Sequence, residues 1–169
     1  MSIRQTIETA FESVGYPGDR DIINCGCAVC KRIIEHFRGT TWREHTLDSL
    51  QKHQLAVSLF TPDAFQYYLP AYMLQSLDAW LDTCLIPFLL TKQFLPPHPE
   101  ESKTKKNQYA KRCAIFNAQQ RQAVILYLRE YAASGTSLAP EDVTRAIAQL
   151  EKPPELLSPE IARAEVRPH

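Results

Sequence analysis

The chain has no excess of charge: 19 lysines and arginines stand against 19 aspartates and glutamates. A dedicated nucleic-acid binder leaves a basic footprint, so the overall charge argues against that class. The same neutrality gives little colloidal repulsion and suits a partner or self-association. Long apolar runs are missing too. The greasiest stretch, residues 67–90, is broken by Pro70, Gln75, Asp78, Asp82 and Pro87, as in a buried core and unlike a membrane span. The opening Met-Ser-Ile-Arg-Gln-Thr-Ile-Glu is polar and lacks the apolar centre of a secretory leader, so a cytoplasmic chain is expected. There is no glycine-rich phosphate loop, no nucleophile elbow and no His-Glu-x-x-His. No segment repeats, and none sustains the period-two alternation of a half-buried strand.

What is present is helical patterning. With 44% hydrophobic residues, a chain of this length buries about two-thirds of its unfolded surface and needs no metal or disulfide merely to fold. Ile3, Ile7, Phe11 and Val14 predict a helix over residues 2–14, closed by Tyr16-Pro17-Gly18-Asp19 as a type II turn. Val29, Ile33, Ile34 and Phe37 predict a second over 28–38, stopped by Gly39. Leu47, Leu50 and Leu55 predict a third over 47–57 with all three leucines inward. Thr61-Pro62-Asp63-Ala64 is the strongest helix start: a cap, a proline at the first helical position and an acid at the positive end of the dipole. Pro70 should kink that helix or begin another. Residues 100–108 read as an exposed polar loop. Asn117 with Gln120 resembles a capping box opening a helix to Ala133, and Pro140 opens another to Leu150. The expected architecture is a single all-α, multi-helix domain over residues 1–150. Pro153, Pro154, Pro159 and Pro168 mark 151–169 as a tail or docking arm.

Reactive side chains concentrate in one run, Asn-Cys-Gly-Cys-Ala-Val-Cys, with thiols at Cys25, Cys27 and Cys30. Five cysteines, an odd number, suit reduced thiols in a cytosol. Cys27-x-x-Cys30 lets two thiolates reach one zinc ion, and Cys25 adds a third. The fourth ligand is missing locally. His36 lies about 240° around an ideal helix from Cys30; His45 follows the Gly39 break and is the tentative fourth ligand; His98 is remote. A redox pair is a second reading, because thiols at a helix N-terminus ionise readily, although no strand precedes the motif. Plain packing is a third, since free cysteine behaves as a small hydrophobe. Cys84 and Cys113 sit in apolar surroundings and read as structural.

Three other groups of residues carry weaker readings. Trp42-Arg43-Glu44-His45, with His36 and His53, offers acid–base groups but pairs no nucleophile with a base. Phe65, Tyr67, Tyr68 and Tyr72 suit a core, and the tyrosines are also candidate interface residues. Lys103, Lys105, Lys106, Lys111 and Arg112 form a basic patch near Tyr109 and Phe116, read as a solvated loop in preference to a nucleic-acid site.

Pro17-Gly18-Asp19, Cys27-x-x-Cys30, Phe37-Arg38-Gly39 with Trp42, and above all Thr61-Pro62-Asp63-Ala64-Phe65-Gln66-Tyr67-Tyr68-Leu69-Pro70 resemble a family of small bacterial proteins of unknown function. The resemblance covers roughly residues 3–133. It implies a bacterial, cytosolic origin and transfers no catalytic residue. The functional expectation is a binding or regulatory partner of another protein. Its alternatives are a zinc-stabilised helical module and a small thiol-dependent enzyme.

Overall fold

Thr61 determines where the central helix begins. In the computed structural model, which describes residues 1–83 and 85–152, its hydroxyl accepts the Ala64 amide at 3.2 Å and Pro62 occupies the first turn. The helix that follows, Pro62–Ser76, buries eleven of its fifteen residues, so it is apolar all round and not amphipathic. Pro70 stays inside this one helix. It removes the donor that the Gln66 carbonyl would otherwise receive, without ending the element.

Nine α-helices and a single 3-10 turn make up the described residues, which contain no strand. In chain order the helices are α1 (Ile3–Phe11), α2 (Ala28–Phe37), α3 (Leu47–Lys52), α4 (Ala56–Leu59), α5 (Pro62–Ser76), α6 (Leu85–Gln93), α7 (Lys103–Ala114), α8 (Ala118–Ala133) and α9 (Pro140–Leu150). The 3-10 turn spans Trp42–Glu44. α5 lies at the centre, against α1, α3, α6, α7 and the 3-10 turn. α8 packs on α1 and α9. No helix among the described residues is long and apolar enough to cross a membrane.

The expected starts and stops are mostly present. Ser2 and Gln5 form a capping box at α1, Asn117 and Gln120 another at α8. Gly39 and Gly135 adopt positive φ just past α2 and α8, the backbone region that glycine enters without a Cβ penalty. Three expectations need correction. The first helix ends at Phe11. Residues 47–57 form two helices, because His53 leaves the helical region at φ −116°, ψ 26°, and Leu55 is consequently 59% exposed. Residues 103–108 are helical: Ser102 accepts the Lys105 amide at 3.3 Å, and Glu101 pairs with Lys105 one turn on. The tail lies outside the described residues from 153 onward, as does Cys84.

Tyr67, Tyr68 and Tyr72 are core residues, 7%, 0% and 0% exposed, and present no surface for an interface. Tyr68 donates to the Phe37 carbonyl at 2.6 Å and to that of Thr40 at 3.2 Å. Tyr72 donates to the His53 carbonyl at 3.0 Å. All three rings fill the interior, and the Tyr68 and Tyr72 hydroxyls fasten incoming segments to α5. Replacing Tyr68 with Phe should cost about 1–2 kcal/mol, through buried carbonyls losing a donor. Tyr68→Ala should cost roughly 3–5 kcal/mol, because the ring goes too. Urea unfolding of the two variants separates the contributions, with equal effects contradicting the division.

Candidate metal and thiol site

The segment leading to the thiols is irregular but well anchored. Gly18 turns it at φ +92°, and the Asp21 amide closes that turn on the Gly18 carbonyl at 3.2 Å. The Tyr16 hydroxyl donates to Asp19 at 2.7 Å and accepts the Gly39 amide at 2.8 Å, joining this segment to the far end of α2. Ile22 and Ile23 are buried. The Thr61 amide donates to the Ile22 carbonyl at 3.0 Å, and the Thr61 hydroxyl donates to the carbonyl of Asp21. The residue that starts α5 therefore also holds the chain that presents the cysteines.

Cys27 is the N-cap of α2, its sulfur accepting the Cys30 amide at 3.5 Å. Cys25 and Cys27 are exposed and Cys30 is buried. The three sulfurs lie within 4.8 Å of one another. The Cys30 backbone amide, followed by hydrogen bonds from the Cys30 and Cys25 thiols, lowers the pKa of Cys27 to about 7. Cys30, engaged with the sulfurs of Cys25 and Cys27, is pushed up to about 12. One thiolate forms readily, and a second beside it is resisted unless a cation joins them.

His45 is not in this group. It turns back onto α2, as its position after Gly39 suggested, but onto the wrong end. Its ring sits 4.7 Å from Phe37 and 5.5 Å from Tyr68, and its Nε2 is 3.1 Å from the Thr40 hydroxyl. Seven residues of α2, roughly 10 Å of rise, separate Phe37 from Cys30, and ten, roughly 15 Å, separate it from Cys27. Among the described residues no histidine, aspartate or glutamate joins the sulfur cluster. His36 stacks on His53 with ring centres 4.1 Å apart, and lies 5.3 Å from His45.

The remaining candidates are absorbed by structure. Glu44 caps the Thr41 amide at 3.3 Å, Trp42 is buried, and Arg43 lies over the Trp42 ring. Asp48 pairs with Lys52. The basic patch rides on α7, where Arg112 turns inward and is half-buried. Arg112 donates to the Phe60 carbonyl at 2.9 Å and lies over the Phe65 ring. Sequence reasoning missed Arg121 as a buried cation and Arg112 as a half-buried one. Arg121 donates to the carbonyls of Cys113, Phe116 and Lys152. No recognised motif marks either one: Arg121 reaches back to the end of α7 and forward to Lys152, and Arg112 reaches Phe60 and the Gln93 side chain. Beside the thiols runs a groove of about 390 Å³ lined by Asn24, Cys25, Phe60, Thr61, Lys111 and Arg112.

The model of a family of unknown function, DUF6714, matches residues 30–151. The chain belongs to this family. No curated protein and no solved structure matches the chain. The matched span runs from α2 to α9 and takes in α5 with its tyrosines. It reaches further toward the C-terminus than the resemblance read from the sequence, adding α9. It begins at Cys30, so Cys25 and Cys27 precede it.

His45 makes stability pH-dependent. Burial first, then the neighbouring His36, lowers its pKa from an ordinary 6.5 to about 4. Between those values the unfolded chain takes up the proton more readily than the folded one. The stabilisation is complete above pH 6.5 and is lost as the pH falls toward 4, by roughly 3 kcal/mol. Burial also lowers His36 and His53, in the same direction. Urea midpoints between pH 7 and pH 4 should fall steeply. In His45→Phe the fall should be shallower, and an unchanged slope would remove His45 from the account.

Proposed function

We propose that this chain is a metal-binding module in which the thiolates of Cys25, Cys27 and Cys30 hold a zinc ion. The observation that carries the reading is the convergence of three sulfurs, from a short irregular segment and one helical turn, to within 4.8 Å of one another. Sulfurs bound to one zinc at 2.3 Å lie roughly 3.8 Å apart, so small side-chain rotations complete three corners of a tetrahedron. The acid–base properties agree. A divalent cation relieves the repulsion that keeps Cys30 protonated beside the Cys27 thiolate, and binding releases that proton. The fourth corner falls to water or to a donor on a partner protein.

A partner-binding role remains a second reading, on a different observation from the one expected. The tyrosines are buried, but Val29 and Leu55 stand 51% and 59% exposed and line a common groove between α2 and the α3–α4 junction. Apolar side chains left open beside a three-ligand metal site suit a protein that presents the metal to another protein.

Purified from zinc-supplemented cells, the chain should carry close to one zinc per molecule by elemental analysis. Cys25→Ser and Cys27→Ser alter exposed positions and should keep the helical circular dichroism while losing most of the metal. A folded, thiol-reduced chain that takes up no zinc on titration ends this reading.

A further inference from the structure

As metal ligands the three thiols are equivalent, but their surroundings are not. Cys25 and Cys27 face solvent, while Cys30 is buried one turn into α2. An exposed thiol with a sheltered second thiol in reach is the arrangement that disulfide exchange requires. The first meets a reagent from solution, and the second reaches the bond so formed without leaving its place. The hydrogen bond from the Cys30 amide holds the Cys27 sulfur at the mouth of α2, with the sulfur of Cys30 close behind. The groove lined by Cys25 gives space to the departing half of a small disulfide, and exposed Lys111 on its wall favours one that carries carboxylates.

We infer that Cys27 and Cys30 form a reversible dithiol–disulfide couple that exchanges with low-molecular-weight disulfides. The Cys27 thiolate attacks one sulfur of R–S–S–R. A Cys27–S–S–R bond forms, the original sulfur–sulfur bond breaks, and RS⁻ leaves to be protonated by solvent. Cys30 then gives its proton to water and attacks the Cys27 sulfur. The Cys27–Cys30 bond forms and the second RS⁻ leaves. Two protein thiols are oxidised, and one small disulfide is reduced to two thiols. The couple uses two of the three proposed zinc ligands, but exchange does not depend on the ion being bound. Only its consequence rests on that reading: the oxidised pair cannot ligate the ion, so oxidation empties the site.

The test treats the full-length chain, as purified and after chelator treatment, with oxidised glutathione. The products are then mapped by non-reducing peptide mass spectrometry. The chelator-treated chain should close the Cys27–Cys30 bond and release both halves of the glutathione disulfide. Cys30→Ser should stop at one glutathione on Cys27, and Cys27→Ser should slow the first step about tenfold. Because Cys30 is buried and its variant could unfold, Cys25→Ala serves as the second variant. It leaves both partners in place and should still close the bond. Glutathione spread over Cys25 and Cys27 without an internal bond, or a bond joining Cys25 to Cys27 in the folded chain, overturns the assignment. The two readings fail separately. A chain that closes the bond but never holds zinc sinks the metal site alone, whereas one that holds zinc but fails to exchange once stripped sinks the couple alone.

Discussion

Everything else in this molecule depends on a helix that is buried on all sides and carries its polar groups to the carbonyls of the segments packed on it. α5 pushes tyrosine rings into the interior, and the Tyr68 and Tyr72 hydroxyls each find a carbonyl at the end of a neighbouring element. A buried hydroxyl without a partner is costly, so these bonds determine where the neighbours must lie and not merely how tightly they pack. Tyr68 places the end of α2, Tyr72 places the α3–α4 junction, and Tyr127 on α8 meets Ser76 at 2.7 Å. The same logic applies to two arginines. Arg121 and Arg112 donate to backbone carbonyls, and among the described residues neither is paired with a carboxylate.

The candidate site inherits its geometry from that core. α2 is held at its far end by Tyr68 and Tyr16, and the chain ahead of it is held by Thr61. The cysteines therefore stand on a fixed helix mouth although the residues before them are irregular. Preorganisation of this kind lowers the cost of gathering ligands around an ion, because folding has already confined them. The matched span begins inside this cluster, at Cys30. The matched span supplies Cys30 and the rest of α2, and the residues just ahead of it supply the other two sulfurs.

Local signals in the sequence were legible where the physics is local. Thr61-Pro62-Asp63, the Asn117–Gln120 capping box and the glycines at 18 and 39 each announce a backbone conformation within a few residues, and each is found in place. The thiol cluster was equally visible, as was the angular argument that turned His36 away from Cys30. Long-range outcomes were not. α7 buries only Ala110 and Cys113, so its thin apolar stripe reads as a polar loop. Sequence composition cannot tell a tyrosine whose hydroxyl finds a buried carbonyl from one that lines a surface, and α5 holds the former. His45 did fold back, but the distance it covers brings it to Phe37 and not to the cysteines.

The central claim is that three sulfurs of this helix mouth bind one ion together. X-ray absorption at the zinc edge on the loaded, reduced chain measures that directly. The account predicts a first shell of three sulfurs near 2.3 Å with one lighter donor. A shell made only of oxygen and nitrogen, or containing a single sulfur, would contradict it.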